Sequence, residues 1–159
     1  MHGETQANRL AALMQKKAQL PSYELALPLI QVKRSTVARL KVKDIFLFGL
    51  KQLVCILVKD GRICAHVTVS IENGRYYLKI EKNDSEMILT SDSHKYETLL
   101  CILGTLKSRT LEVGHLIEMS QIKLEKVTVI QKDKKIAEGT LINVEGELAV
   151  QMDKVDRYE

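Results

Sequence analysis

Between residues 53 and 82 short apolar runs are broken by two dipeptides that favour tight turns. Leu57-Val58 and Ile63 flank Asp60-Gly61; Val69 and Ile71 precede Asn73-Gly74, and Tyr76 and Leu78 follow it. Asp-Gly and Asn-Gly tolerate the positive φ angles of two-residue hairpins. The pattern predicts a meander of three strands, at about 53–59, 62–72 and 75–82. Upstream, Ala38, Leu40 and Val42 alternate with Arg39, Lys41 and Lys43. That alternation predicts a strand with one apolar and one cationic face. Before Pro21 the period changes: Leu10, Leu13, Met14 and Lys17 fall at i, i+3, i+4 and i+7 among good helix formers. A short helix is expected over residues 1–20, stopped by Pro21. Residues 83–94 are polar apart from Met87-Ile88-Leu89, and a linker is expected at 85–94.

The second half of the chain echoes the first. Lys59-Asp60-Gly61-Arg62-Ile63 aligns with Lys132-Asp133-Lys134-Lys135-Ile136, and Val54–Leu57 with Val127–Ile130. Ile71 meets Val144 ahead of turns at Gly74 and Gly146, and Leu78–Lys82 meets Val150–Lys154. Further upstream Leu40–Phe46 pairs with Leu111–Ile117, and Leu29 and Val32 pair with Leu100 and Leu103. The chain therefore divides into a first unit at 21–84 and a second at 95–159. A unit of ~60 residues buries little apolar surface alone. Two related units are expected to cover each other's apolar faces about a pseudo-twofold axis.

The second unit resembles a known family. Leu111-Glu112-Val113-Gly114-His115-Leu116-Ile117-Glu118-Met119 is similar to the L-x-x-G-D-x-I-x-L segment of SpoA domains. Residues Lys135–Ile142 resemble their I-A-x-G-E-L stretch, and Val144–Met152 their closing V-x-G-x-L-x-V-x-I. His115 stands where the family has Asp, and in the first unit Lys43 stands where it has Gly. The resemblance implies an all-β fold of two intertwined SpoA-like units forming an intramolecular pseudo-dimer. SpoA proteins build the flagellar switch ring (FliM and FliN) and the injectisome sorting platform (the SctQ family). The resemblance thus implies an assembly component at the cytoplasmic face of a type III secretion apparatus. Its implied partners are other SpoA-domain proteins and the N-terminal region of the export-ATPase regulator (SctL/FliH-like), with higher-order ring assembly.

Composition narrows the chemistry. The chain has no Trp, five Tyr and two Phe, so its apolar mass is mainly Leu, Ile and Val. The net charge of +4 is uneven: residues 1–50 hold eight Lys/Arg against three acids, and the remainder is slightly acidic. A basic face for nucleic acid is not expected. The stripe Lys33, Arg34, Arg39, Lys41 and Lys43 reads as a solvated strand face. Cys55, Cys64 and Cys101 are odd in number, form no CxxC, and sit in apolar runs; buried, reduced thiols in a cytoplasmic protein are expected. No run approaches the ~20 apolar residues of a membrane span. His2, His66, His94 and His115 have no metal-ligand spacing, and nucleophile elbows and phosphate-cradling loops are absent from the sequence. Neither catalysis nor a cofactor nor a metal is expected.

Asp44-Ile45-Phe46-Leu47-Phe48-Gly49-Leu50 has more consecutive apolar residues than a half-buried strand requires, and it holds both Phe residues. It belongs either to the core or to a groove for an amphipathic partner helix, bordered by Phe46 or Phe48 with Leu116. The alternative function is a small β-barrel binding single-stranded nucleic acid by stacking. Tyr76-Tyr77 is the one aromatic pair on an expected strand.

Overall fold

The computed structural model describes residues 20–88, 94–119 and 125–156. The helix expected over 1–20, Leu20 apart, and positions 89–93 of the expected linker lie outside them. The described chain is nearly all β, as its alternation predicts. The strands are β1 (Ser22–Ala26), β2 (Ile30–Lys33), β3 (Ile45–Leu50), β4 (Val54–Lys59), β5 (Arg62–Glu72) and β6 (Arg75–Met87). The second half adds β7 (Tyr96–Lys107), β8 (Leu116–Glu118), β9 (Lys126–Gln131), β10 (Lys134–Val144) and β11 (Glu147–Val155). They form one open sheet in the order β3-β11-β10-β9-β7-β1-β4-β5-β6-β8, with β2 off this path on β7. All of its ladders are antiparallel.

Turn chemistry sets the meanders. Asp60-Gly61 and Asn73-Gly74 close the first two hairpins with positive φ at both residues, as expected. Lys132-Asp133 and Glu145-Gly146 close the other two in the same way. Asp60-Gly61 therefore corresponds to Lys132-Asp133. This corrects the alignment read from sequence by one residue, because its Lys-Asp anchor straddles the turn differently in the two halves. A slip of one residue exchanges the faces of a strand. In the corrected register Cys55 and Leu57 correspond to Val127 and Val129, and all four are buried. Likewise Leu25, opposite Leu57, corresponds to Cys101, opposite Val129, which replaces the pairing of Leu29 with Leu100.

One apolar cluster draws on both halves of the chain. Leu25, Leu57, Val67, Leu78 and Ile80 share it with Leu99, Cys101, Val127, Val129, Val150 and Met152. The two halves pair with each other at the centre and at both ends of the sheet. β1 and β2 both pair with β7 at the centre, β3 pairs with β11 at one end, and β8 pairs with β6 at the other.

The strand expected around 38–43 is not formed. Arg34–Ala38 is instead a five-residue helix, α1, and residues 41–44 make a turn in which Asp44 N–H donates to Lys41 O (3.1 Å) and Lys41 N–H to Asp44 Oδ2 (3.0 Å). The alternation there does not mark a buried face: Leu40 is buried, but Val42 is 52% exposed. All five cations of the basic stripe are exposed, and Arg34 Nε reaches the buried Glu97 at 2.8 Å, fastening α1 to β7. β6 runs on to Met87, so part of the expected linker is strand.

Burial separates the cysteines. Cys55 and Cys101 are buried, and desolvation pushes both thiols up to about 12. Cys64, expected to be buried, is only partly so, because it occupies the bulge where the β4–β5 register shifts between Val58–Ile63 and Leu57–Ala65. Native labelling with a small thiol reagent should modify Cys64 first. Cys55 and Cys101 should stay slow even at pH 9, since their thiols hold their protons well above that pH, and should react in denaturant. Three equal native rates would contradict this burial.

Candidate partner-binding site

Two central strands, β4 and β7, carry apolar side chains on both faces. In β4, Cys55 and Leu57 point into the shared core, while Ile56 and Val58 join a second cluster with Ala26 and Ile63. In β7, Leu99, Cys101 and Leu103 face the core, while Leu100 and Ile102 pack on that second cluster. The reverse face of the sheet therefore carries an apolar patch at these strands.

A groove of about 520 Å³ lies over this face. Val58, Leu100, Ile102 and Ile130 form its floor, and Leu29 and Ile88 form apolar walls. Ile88 is held there by its N–H, which donates to Gly61 O at 3.0 Å. The two hairpin turns Asp60-Gly61 and Lys132-Asp133 edge the groove with Lys59, and Glu24 stands in its lining opposite Val58. Thr98 Oγ1, in the lining, is buried without a hydrogen-bond partner, the one such side-chain atom among the described residues. An apolar lining with Glu24 and Lys59 beside it suits a segment presenting apolar side chains next to polar ones.

The three residues expected from sequence to border a groove are not brought together. Phe46 is 7% exposed and belongs to the shared core, opposite Val150. Phe48 is half-buried and packs against the same core. Leu116 is 48% exposed on β8, at the other end of the strand order. Phe46 is thus a core side chain and not the lip of a groove. What marked the actual groove in the sequence was unbroken apolar runs, Val54–Val58 and Leu99–Leu103, which strands show when both faces are covered.

Tyr76 is exposed and Tyr77 half-buried, and as neighbours on β6 they point to opposite faces, so they form no common stacking platform. Among the described residues no group of three or more His, Cys, Asp and Glu is placed to hold a metal, and no helix is long and apolar enough to cross a membrane. The sequence matches no family model, and a search of curated proteins finds no match.

Adjacent positions on β3 separate core from surface. Phe46→Ala should cost about 3–5 kcal/mol in urea unfolding, the usual loss for a truncated core Phe. Leu47→Ala, 56% exposed on the opposite face, should change stability by less than about 0.5–1 kcal/mol. Equal losses would contradict the assigned faces.

Proposed function

We propose that the chain is a tandem SpoA-type assembly module, a pseudo-dimer of two intertwined β units. In this reading it is a structural component of a type III secretion sorting platform or flagellar C-ring. It binds other SpoA proteins and the N-terminal region of the export-ATPase regulator, at the cytoplasmic face of the apparatus.

The reciprocal exchange of outer strands carries this reading. The first half's β3 pairs with the second half's β11, and the second half's β8 pairs with the first half's β6. Exchanging β1 with β7, β3 with β8, β4 with β9, β5 with β10 and β6 with β11 leaves the strand order the same when read from the other end. Local bonds repeat across this exchange. Lys43 N–H donates to Met152 O (2.7 Å) and Met152 N–H to Asp44 O (2.8 Å). Gly114 N–H donates to Ile80 O (2.7 Å) and Ile80 N–H to His115 O (3.0 Å). Lys43 and Gly114 both have positive φ, 78° and 87°, so the glycine of the family segment answers a backbone demand that Lys43 meets with strain. At matching bulges Thr68 Oγ1 bonds Glu81 Oε1 at 2.9 Å and Thr140 Oγ1 bonds Asp153 Oδ2 at 2.5 Å.

The central groove is the seat assigned to the regulator. It lies where the two units meet, and its apolar floor suits the apolar side chains of an amphipathic segment. Capture on an immobilised regulator N-terminal segment from the same genome tests this. Wild-type chain should be retained, Ile102→Glu should lose most of the retention by putting a charge on the groove floor, and Phe48→Ala should keep it if still folded. Retention unchanged by Ile102→Glu would remove the groove from the reading. Salt-sensitive binding of a single-stranded oligonucleotide, with no retention on the regulator, would favour the nucleic-acid alternative.

A further inference from the structure

The two ends of the sheet carry five of the nine large hydrophobic side chains exposed among the described residues. Val42, Ile45 and Leu47 lie on or beside β3, and Val113 and Leu116 lie on or beside β8. Both are terminal strands: β3 has β11 as its only strand partner among the described residues, and β8 has only β6. Strand edges left open in this way offer backbone donors and acceptors to another chain, and proteins that avoid such pairing place charges or prolines on them. β3 reads Ile-Phe-Leu-Phe-Gly-Leu and has neither.

We propose that β3 of one copy pairs with β8 of the next, so that copies of this chain associate head to tail by continuing the sheet. Direction and charge select this arrangement. Ten strands lie on the antiparallel path, so its two ends run in opposite directions. A second copy in the same orientation therefore brings its β8 antiparallel to β3. Lys41, Lys43 and Lys51, all exposed, flank β3, whereas Glu112 precedes β8 and Glu118 ends it. Setting Phe46 opposite Ile117, the core-side residue of β8, places Leu47 opposite Leu116 and brings Lys51 towards Glu112. Pairing β3 on β3 centred on Leu47 is opposed by charge, since it sets Lys43 against Lys51, and pairing β8 on β8 centred on Ile117 sets the charged Glu118 opposite the apolar Leu116. Like charges directly opposite destabilise a strand pair. A contact between two different surfaces propagates, into a ring if its rotation closes and a filament if it does not. This surface lies at the ends of the sheet and depends on neither the central groove nor the regulator.

Two edge variants of the full chain test it by sedimentation over a range of concentrations. Leu47→Lys blocks β3 and Leu116→Lys blocks β8; both replace exposed side chains, and unchanged melting verifies the fold. Wild type should gain mass with concentration, and less so at high salt. Each variant alone should self-associate at least about tenfold more weakly, ~1.4 kcal/mol. Their mixture should form a one-to-one dimer and nothing larger, because one intact β3 then meets one intact β8. Monomeric wild type across the range would overturn the proposal. So would self-association of either variant at wild-type strength, which would mean that the two edges are not used together.

Discussion

Backbone pairing at the outer edges of β6 and β11 is the constraint around which the molecule is organised. Both are long strands, and each already has one neighbour, β5 or β10. The remaining edge needs a partner, and in each case it comes from the other half of the chain: β8 for β6 and β3 for β11. The exchange also delivers side chains. Phe46 enters the core opposite Val150, and Ile117 packs on the core opposite Leu78. Neither half has its own complete edge or its own complete core, and small units of this size gain most from such sharing.

The central ladder gives the arrangement its second consequence. β1 and β7 meet with Ala26 opposite Ile102, and Leu27 N–H extends the join to Cys101 O at 2.9 Å. Beside this join β4 and β7 carry apolar side chains on both faces, so the sheet covers its core on one side and lines a groove on the other. The same economy leaves the sheet's two ends, β3 and β8, with exposed Ile45, Leu47 and Leu116.

The hairpins are legible in the sequence because their turns need particular residues. Asp60-Gly61 and Asn73-Gly74 announce positive φ, and the strands around them fall within a few residues of the expected bounds. The exact register of the repeat is less legible, since Lys132-Asp133 turns without glycine and its aspartate sits one place later in the turn. The segment around Leu40 misleads because alternation is necessary for a half-buried strand and not sufficient: Lys43 N–H at its end reaches Met152 O of β11, but α1 and a turn absorb the rest of its residues. The run containing Phe46 and Phe48 is unusual by pattern alone. Whether its aromatics face a core or a partner depends on β11, a strand some hundred residues away in sequence. Local pattern says which residues are apolar. It does not say which of two distant strands will cover them.

Cross-strand contacts read by nuclear magnetic resonance test the exchange directly. In a dilute, isotopically labelled sample the backbone protons of Phe46 should show close contacts to Val150, and those of Ile117 to Leu78. If instead each half kept its own outer strand, the contacts would run from Phe46 to Leu78 and from Ile117 to Val150, and the exchange of outer strands, with the core it creates between the halves, would be contradicted.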